Sequence, residues 1–502
     1  MQLRATHAVL ILCLINTINF IYCVIIPSAP TQFQTFVQHA LAVNSTNVYM
    51  GLVESANFTS YAIALVVFGF LSKSQRPFHL VSLGICLWVL AAALCGLARP
   101  ASSFAMIVVG RAVSGIAEGS YSAISPPLIE THAPESTRNV WLGVYYACMS
   151  LGTGVGYFYG SFMARAYGWD MSFLVAGVVM APLLFITTCC IPPQLNAPLC
   201  VSTNSSEARC RRATSSTAKH ETPTDDVVSI LQSPMFLSST LGMAALTFFV
   251  EGVAVFGPSI LLGRHTFPAD YVATIFGAAV VVGGIVGGTL GGYVMDVACV
   301  GHENNAAFRL AMACRQRFVF VGLSLPLAVG AVAAIDHPPT FLLLFVLAVV
   351  CVYATMGTTT TTILLTVSPA RRGLATGIHT ALTQLLGSVP APLVIGLVKD
   401  ALAPGCGASD EGTHARLDDC DTPANQRGLQ TTMLLLMLWL LWPLVFWTFS
   451  LWWQTRHPLH EPTIDTDAKK RHDDNNPTTQ TTTTTIATVV QPDDSRGAAA
   501  SV

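Results

Sequence analysis

Residues 106–129 read MIVVGRAVSGIAEGSYSAISPPLI, an apolar stretch long enough to cross a bilayer that nevertheless contains Arg111 and Glu118. Because an α-helix turns by about 100° per residue, residues seven apart lie on nearly the same face. A charge at bilayer depth is costly unless it meets a partner or a cavity, and such residues mark ion and substrate pathways. The stretch therefore predicts a transport site, with a structural ion pair between neighbouring helices as the alternative. The residues of this polar face are Arg111, Ser114, Gly115, Glu118, Ser122 and Ser125.

The composition is that of a membrane protein. Of the 502 residues, 52% are hydrophobic and only 10% are charged, whereas a soluble protein carries about 25% charged residues. The net charge of −2 and the lack of a dense basic cluster give no indication of a nucleic-acid partner. The sequence shows neither a zinc-like Cys/His spacing nor the nucleophile constellation of a membrane enzyme. We therefore expect no metal, no cofactor and no enzymatic activity.

Apolar segments of bilayer length occur twelve times along the chain. Twelve spans place both termini on one side, and assigning that side to the cytoplasm agrees with the positive-inside rule. In this assignment Arg111 is the only Lys or Arg inside a span, because Arg317 counts as cytoplasmic and Lys399 as external. The predicted spans are residues 7–27, 49–71, 79–98, 103–129, 139–163, 169–191, 232–262, 270–296, 318–335, 341–366, 373–399 and 429–453.

Two segments have a different composition. Residues 193–230 are polar, rich in Ser and Thr and free of aromatic residues, which is typical of a linker. They separate six predicted spans in residues 1–192 from six in residues 231–455. Residues 456–502 contain TTQTTTTT and cannot bury a core, so they are expected to form a disordered cytoplasmic tail.

Short patterns recur between the two sets of spans. Gly69 stands four residues before Lys73 as Gly292 stands four before Asp296, and RNVWLG at 138–143 corresponds to RGLATG at 372–377. These echoes indicate a duplication. The sequence therefore predicts two homologous six-helix bundles, the architecture of carriers that bind substrate at the interface between repeats.

The fourth span resembles the Spinster family of the major facilitator superfamily. The similarity is carried by R-x-x-x-G-I-x-E-x-S-Y-S-x-I-x-P from Arg111 to Pro126, by LGTGVGYFYGS at 151–161 and by Arg371-Arg372 before the eleventh span. It extends over about residues 7–455. The resemblance implies an all-α major facilitator fold of twelve transmembrane helices. It also implies a monomeric secondary carrier of lysophospholipids or sphingoid phosphates in the plasma membrane or an endolysosomal membrane.

The chain departs from this family in the first span. Family members usually carry an Asp-Arg pair there, whereas residues 14–23 read LINTINFIYC without a charge. Glu54 in span two and Glu251 in span seven stand where relatives tend to be polar but uncharged. Proton coupling is therefore assigned to Glu118, Glu54 or Glu251, and the sequence does not choose among them.

The resemblance also implies a mechanism. Arg111 is expected to pair with Glu118, or with a substrate phosphate once Glu118 is protonated, because guanidinium groups suit phosphate oxygens. The hydroxyls of Thr358–Thr362 either line a cavity or bond the preceding turn, and His379 is either a titrating group or a satisfied buried histidine. A carrier of another small organic anion or drug, and a non-transporting sensor, remain alternative functions. The further candidate contacts to substrate are Tyr121, Ser122, Tyr146, Thr358 and His379.

Two predictions concern the external loops. Cys406 and Cys420 share the loop between the last two spans, and they are the pair of cysteines expected to form a disulfide. Asn44 begins the sequon Asn-Ser-Thr in the first external loop and is the predicted glycosylation site.

Overall fold

The structure is a computed structural model that is almost entirely helical in the part of the chain it describes. Asn44, most of the predicted linker and the predicted tail beyond His457 lie outside the described residues. The described residues are 5–43, 45–72, 75–132, 138–192, 196, 223–302, 305–367, 371–404, 406 and 420–457.

Twelve long helical segments match the twelve predicted spans. Ten of them are long and apolar enough to cross a membrane, and α4 and α5, of 29 residues each, complete the set. The segments are α1 (Ala5–Cys23), α2 (Asn47–Leu71), α3 (Pro77–Leu97), α4 (Phe104–His132), α5 (Arg138–Ala166), α6 (Trp169–Cys189), α7 (Pro234–Gly263), α8 (Val272–Ala298), α9 (Ala306–Ala333), α10 (Pro338–Tyr353 and Met356–Thr366), α11 (Arg372–Thr383, a π-helical turn at Gln384–Ser388, and Pro390–Leu402) and α12 (Pro423–Leu438 and Leu441–Arg456).

Helix boundaries differ from the predicted spans at two places. The first span ends at Cys23 rather than at residue 27, and the short helices Ile25–Ser28 and Pro30–Leu41 follow it. Helix α9 begins at Ala306 rather than at 318, because the Asn305 side chain accepts a hydrogen bond from the Phe308 amide at 2.7 Å and caps the helix there. The prediction that Arg317 lies in a cytoplasmic loop is therefore wrong, since it lies within α9.

The predicted linker ends in a short helix, Pro223–Leu231, which leads into α7. We call α1–α6 the N-terminal half and α7–α12 the C-terminal half. In the N-terminal half α4 packs against both α2 and α3, and α1 packs against α5. In the C-terminal half α7 packs against α12, and α10 packs against α8 and α9. The halves meet along two seams, α2 against α11 and α5 against α8.

The two ends of the bundle differ in how the halves meet. We call the end where α1 begins and α12 finishes the terminal side, and the opposite end the distal side. Hydrogen bonds join the halves in the distal part, for example from Ser55 Oγ to the Val389 carbonyl at 2.7 Å. On the terminal side, a Cβ added at Gly143, Gly292 or Gly377 would meet no other element within 4 Å. The hydrogen bonds between the halves thus hold the distal part of the bundle together.

Candidate functional site

Arg111 lies on α4 with only 1% of its surface exposed. Its Nη2 forms an ion pair with Glu54 Oε2 of α2, whose side chain is equally buried. Its Cζ lies 5.5 Å from the centre of the Tyr22 ring on α1. The charge at the centre of the polar stripe is therefore neutralised by a neighbouring helix of the same half.

The expected pairing of Arg111 with Glu118 is wrong in this structure. Seven residues along one helix separate their Cα atoms by about 10.5 Å, whereas Glu54 faces Arg111 from the packed neighbour. The close packing depends on Gly115, where a Cβ would fall 2.2 Å from the Asn57 carbonyl oxygen. Glu54 is itself buried, with 2% of its surface exposed.

Asn57 of α2 reinforces the contact between the two helices. Its Nδ2 donates to the Arg111 carbonyl at 3.1 Å and to Ser114 Oγ at 2.8 Å. Arg111 Nε and Nη1 and Glu54 Oε1, in contrast, have no hydrogen-bond partner among the described residues. The guanidinium is therefore held by one nitrogen and retains buried donors that a ligand could use.

Glu118 lies two turns further along α4 and is 9% exposed. Cys23 Sγ donates to its Oε2 at 3.9 Å, and Asn19 of α1 lies within hydrogen-bonding reach of the same carboxylate. Cys23 lies close enough to Arg111, Glu54, Glu118 and Glu251 for its thiol to interact with all four charges. Because Glu251 belongs to α7, the cluster draws carboxylates from both halves around a single arginine.

The predicted aromatic and hydroxyl contacts lie along the same face or close to it. Tyr121 is 1% exposed, and neither its hydroxyl nor that of Ser125 has a partner among the described residues. Ser122 is half-buried between them, while Tyr146 on α5 is 52% exposed. The polar face of α4 therefore continues from the charged cluster toward the terminal side.

The threonine run of α10 bonds its own helix. Thr358 Oγ1 donates to the Thr355 carbonyl at 2.9 Å, and Thr362 Oγ1 donates to the Thr358 carbonyl at 2.8 Å. The hydroxyls of residues 359–361 bond the preceding turn in the same way. The sequence allowed these hydroxyls either to line a cavity or to bond the preceding turn. The observed hydrogen bonds support bonding to the preceding turn.

His379 is placed away from the carboxylates. Its Nδ1 lies 3.0 Å from Thr240 Oγ1 on α7, and the charge that acts on it is that of Arg317. This contact supports the interpretation as a satisfied buried histidine. Neither His379 nor Thr358 joins the cluster around Arg111.

Two buried cations were missed by sequence reasoning. Arg317 on α9 is 0% exposed and Lys399 on α11 is 2% exposed, so both are buried like Arg111, although the sequence placed them outside the spans. A usable signal existed for Lys399, because it shares one helical face with the apolar Ile395 and with Gly396. Arg317 lay among loop arginines and carried no comparable signal.

The two cysteines predicted to pair lie together beside the start of α12. Cys406 and Cys420 form a disulfide, and Cys420 begins the approach to α12. Gln426 Nε2 bonds the Cys420 carbonyl at 3.0 Å and the Gly263 carbonyl at 2.7 Å. The loop is thereby tied to the distal end of α7.

Comparison with known proteins identifies the class. The Major Facilitator Superfamily profile matches residues 8–392, so the chain belongs to that superfamily. It is similar to "Probable sphingolipid transporter spinster homolog 1" of Arabidopsis thaliana, with 27% identity covering 78% of this chain and 82% of the relative. It is similar to "Protein spinster homolog 1" of Homo sapiens, with 26% identity covering 80% and 74%. Within the superfamily these relatives are spinster homologues, in agreement with the resemblance of the fourth span.

A solved structure supports the fold. A bacterial homologue of the human lysosomal transporter Spinster, crystallised in an inward-facing and unoccupied conformation, matches with a TM-score of 0.69. The sequence identity is 19%, and the match covers 91% of this chain and 99% of that one. The predicted major facilitator fold with twelve transmembrane helices is confirmed.

Proposed function

We propose that this protein is a secondary carrier of amphipathic lipids, of the lysophospholipid or sphingoid phosphate class, that works by alternating access. The observation that carries the proposal is the buried Arg111, which is held by Glu54 through one nitrogen and leaves Nε and Nη1 without protein partners. Guanidinium donors of this kind suit phosphate oxygens. The sphingolipid named for the Arabidopsis relative points to the same substrate class.

Glu118 is the group that we assign to proton coupling. Glu54 already occupies Arg111, so Glu118 has no cationic partner among the described residues. A buried carboxyl without a cation is the type of group that binds and releases a proton as its solvent access changes. Glu54 instead holds the Arg111 side chain in place. This role differs from proton coupling, for which the sequence left Glu54 as one of three candidates.

Glu251 is the residue that we assign to headgroup selection. It contributes a carboxylate from the C-terminal half to a cluster otherwise built by the N-terminal half. A carboxylate there favours lipids that carry an ammonium group beside the phosphate, because opposite charges attract strongly in a medium of low dielectric constant. Tyr121, Ser122 and Tyr146 continue the path for the headgroup toward the terminal side.

The remaining proposals concern organisation and placement. The two halves act as the two moving bundles, joined by the linker at 193–230. The terminal side faces the cytoplasm, in a plasma or endolysosomal membrane. The protein works as a monomer without enzymatic activity, and Asn44 is glycosylated.

The test is flux in proteoliposomes containing the full chain. Labelled lysophosphatidylcholine, lysophosphatidylethanolamine and sphingosine phosphate are compared with a small organic anion, each with and without a pH gradient. We expect uptake of the lysolipids above protein-free vesicles and acceleration by the gradient. Glu118→Gln should abolish gradient-driven uptake but retain exchange of labelled for unlabelled lipid, because a neutral amide cannot carry a proton.

Asp421→Asn is the matched control, since Asp421 pairs with the exposed His265 at 2.9 Å. Transport of the organic anion without lipid transport would replace the proposed substrate class. Lipid binding without flux would identify a sensor. Equal uptake with and without the gradient, or normal gradient-driven uptake by Glu118→Gln, would refute the proton assignment.

A further inference from the structure

The N-terminus of α2 is capped by a residue of the other half. The amides of a helix's first turn lack partners within the helix, and the side chain of Thr46, the residue at the cap position, accepts no hydrogen bond from them. Asp400 of α11 supplies the acceptor instead. Its Oδ2 accepts the Val48 amide at 2.9 Å, and its Oδ1 accepts the Asn47 amide at 3.3 Å and Asn47 Nδ2 at 2.7 Å.

The adjacent Lys399 bonds the same asparagine. Its Nζ donates to Asn47 Oδ1 at 3.0 Å and to Ser259 Oγ of α7 at 2.9 Å. Gln34 also reaches Asn47 Oδ1, at 2.6 Å. Asn47 is therefore held from both halves, by a buried cation and by an anion placed at the positive end of a helix dipole.

The backbones at this contact touch. A Cβ at Gly396 would fall 2.6 Å from the Asn47 carbonyl oxygen, and one at Gly51 would fall 2.3 Å from the Pro392 carbonyl oxygen. Asp400 and Lys399 therefore reach the start of α2 only while α2 and α11 lie in direct contact. Separation of the distal ends would remove these bonds together.

We propose that Asp400, Lys399 and Asn47 form a latch that holds the distal side closed and that must break and re-form in each transport cycle. The latch bonds exist in the state that is open on the terminal side and not in the state that is open distally. Weakening it shifts the resting population toward the distally open state. The inference needs alternating access but neither a lipid substrate nor a proton.

The other seam supplies a matched control. Arg165 at the end of α5 donates to Asp270 Oδ1 at 2.9 Å, next to the start of α8. That pair also joins the two halves distally, but its side chains are 42% and 70% exposed. Exposed ion pairs contribute little, because water already solvates both partners. Asp270→Asn therefore removes an interhalf acid without removing the latch.

The experiment measures alkylation of a reporter cysteine in the purified full chain. Ser55→Cys places the reporter in the closed seam, at a residue 7% exposed, and peptide mass spectrometry separates it from the native cysteines. We expect Asp400→Ala to raise the reporter's alkylation rate about tenfold, equivalent to about 1.4 kcal/mol. Asp270→Asn should change it less than about twofold. The proposal is overturned if the alkylation rate does not rise in Asp400→Ala, or if it rises equally in both variants.

Cross-linking provides a second measurement, which locks the distal contact instead of opening it. A short bifunctional thiol reagent should link the pair Val48→Cys and Asp400→Cys, because the native groups lie in contact. The link should stop flux of any transported substrate until a reductant cleaves the link. The single-cysteine variants, which cannot form the link, show the effect of the reductant alone. Failure to link, or undiminished flux after linking, overturns the proposal. Absence of lipid transport, with the alkylation result intact, overturns only the proposed substrate.

Discussion

Arg111 in the N-terminal half and Arg317 in the C-terminal half are both buried, but their surroundings differ. Arg111 has a carboxylate partner from α2 and lies beside carboxylates of both halves. Arg317 has no acidic partner among the described residues. Its Nη2 lies 3.3 Å from Cys314 Sγ and 3.4 Å from Ser450 Oγ, and its Cζ lies 5.2 Å from the Trp447 ring centre.

The difference indicates two uses of a buried cation. The hydrogen-bond and ring contacts of Arg317 come from α9 and α12, and His379 of α11, on which its charge acts, belongs to the same half. The movement of one half against the other therefore leaves these contacts intact. Arg111 also packs within its own half, but its unpaired nitrogens and the nearby Glu251 make it the cation that substrate and the other half can reach. We therefore expect Arg111 to act in transport and Arg317 to have only structural contacts within the C-terminal half.

The largest expected effect separates the two arginines directly. Arg111→Met leaves Glu54 as an uncompensated buried charge, which should cost about 3–5 kcal/mol of stability and abolish lipid uptake. Arg317→Met removes a buried charge that has no acidic partner, so stability should change by less than about 1 kcal/mol and uptake should persist. Thermal unfolding in detergent and proteoliposome flux measure both.

The double variant Arg111→Met with Glu54→Leu controls for stability. It should restore the melting temperature, because no buried charge is left without a partner. It should not restore uptake, because the guanidinium that donates hydrogen bonds to the substrate phosphate is missing. Equal loss of uptake from the two single arginine variants would contradict the division between a transport cation and a structural one.

Part of this comparison was predictable from the sequence. The charges of α4 stand out because one helix face repeats Arg111, Ser114 and Glu118 at helical spacing inside an apolar run. The partner of Arg111 could not be predicted, because it depends on how closely α2 approaches at Gly115. Arg317 could not be recognised as buried, since its contact with Ser450 spans 133 residues of sequence and tertiary packing alone brings them together.

The next expected effect concerns Glu54. In Glu54→Gln the guanidinium loses its anion, and Glu118 becomes the nearest carboxylate on the same face. A nearby Arg111 favours the ionised form of Glu118, so the Glu118 carboxyl group would release its proton more readily. We therefore expect the pH dependence of uptake to move toward more acidic values, with a lower maximal rate. Glu251→Gln, which leaves the Arg111 pair intact, should change headgroup preference and leave the pH dependence in place.

Measuring initial uptake rates between pH 5 and pH 8 in both variants distinguishes the two roles. A profile that is unchanged in Glu54→Gln would show that Arg111 does not exchange partners. A shifted profile in Glu251→Gln would transfer coupling to the C-terminal half.

A smaller effect is expected from two glycines that pack beside the two arginines. Gly115→Ala places a Cβ 2.2 Å from the Asn57 carbonyl oxygen, a backbone atom that can move only if α2 moves. Gly242→Ala places one 2.2 Å from Trp447 Nε1, a buried side-chain atom within the C-terminal half. Both should cost about 1–3 kcal/mol as overpacking, but only Gly115→Ala should reduce uptake strongly. Similar flux in the two variants would contradict the special position of the contact between α2 and α4.

The smallest expected effect tests what stabilises Arg317. Trp447 covers the guanidinium, and its Nε1 donates to the Ser239 carbonyl at 3.4 Å, a weak bond. Trp447→Phe keeps an aromatic face over the charge and should cost less than Trp447→Leu, which loses the cation–π interaction of about 1–2 kcal/mol. In the background of Arg317→Met the difference between Phe and Leu should disappear, because no cation remains to be covered. Thermal unfolding of the four variants measures this as a double-mutant cycle. A difference between Phe and Leu that persists without the arginine would mean that Trp447 stabilises the half by packing alone, and that Arg317 is held by its contacts to Ser450 and Cys314.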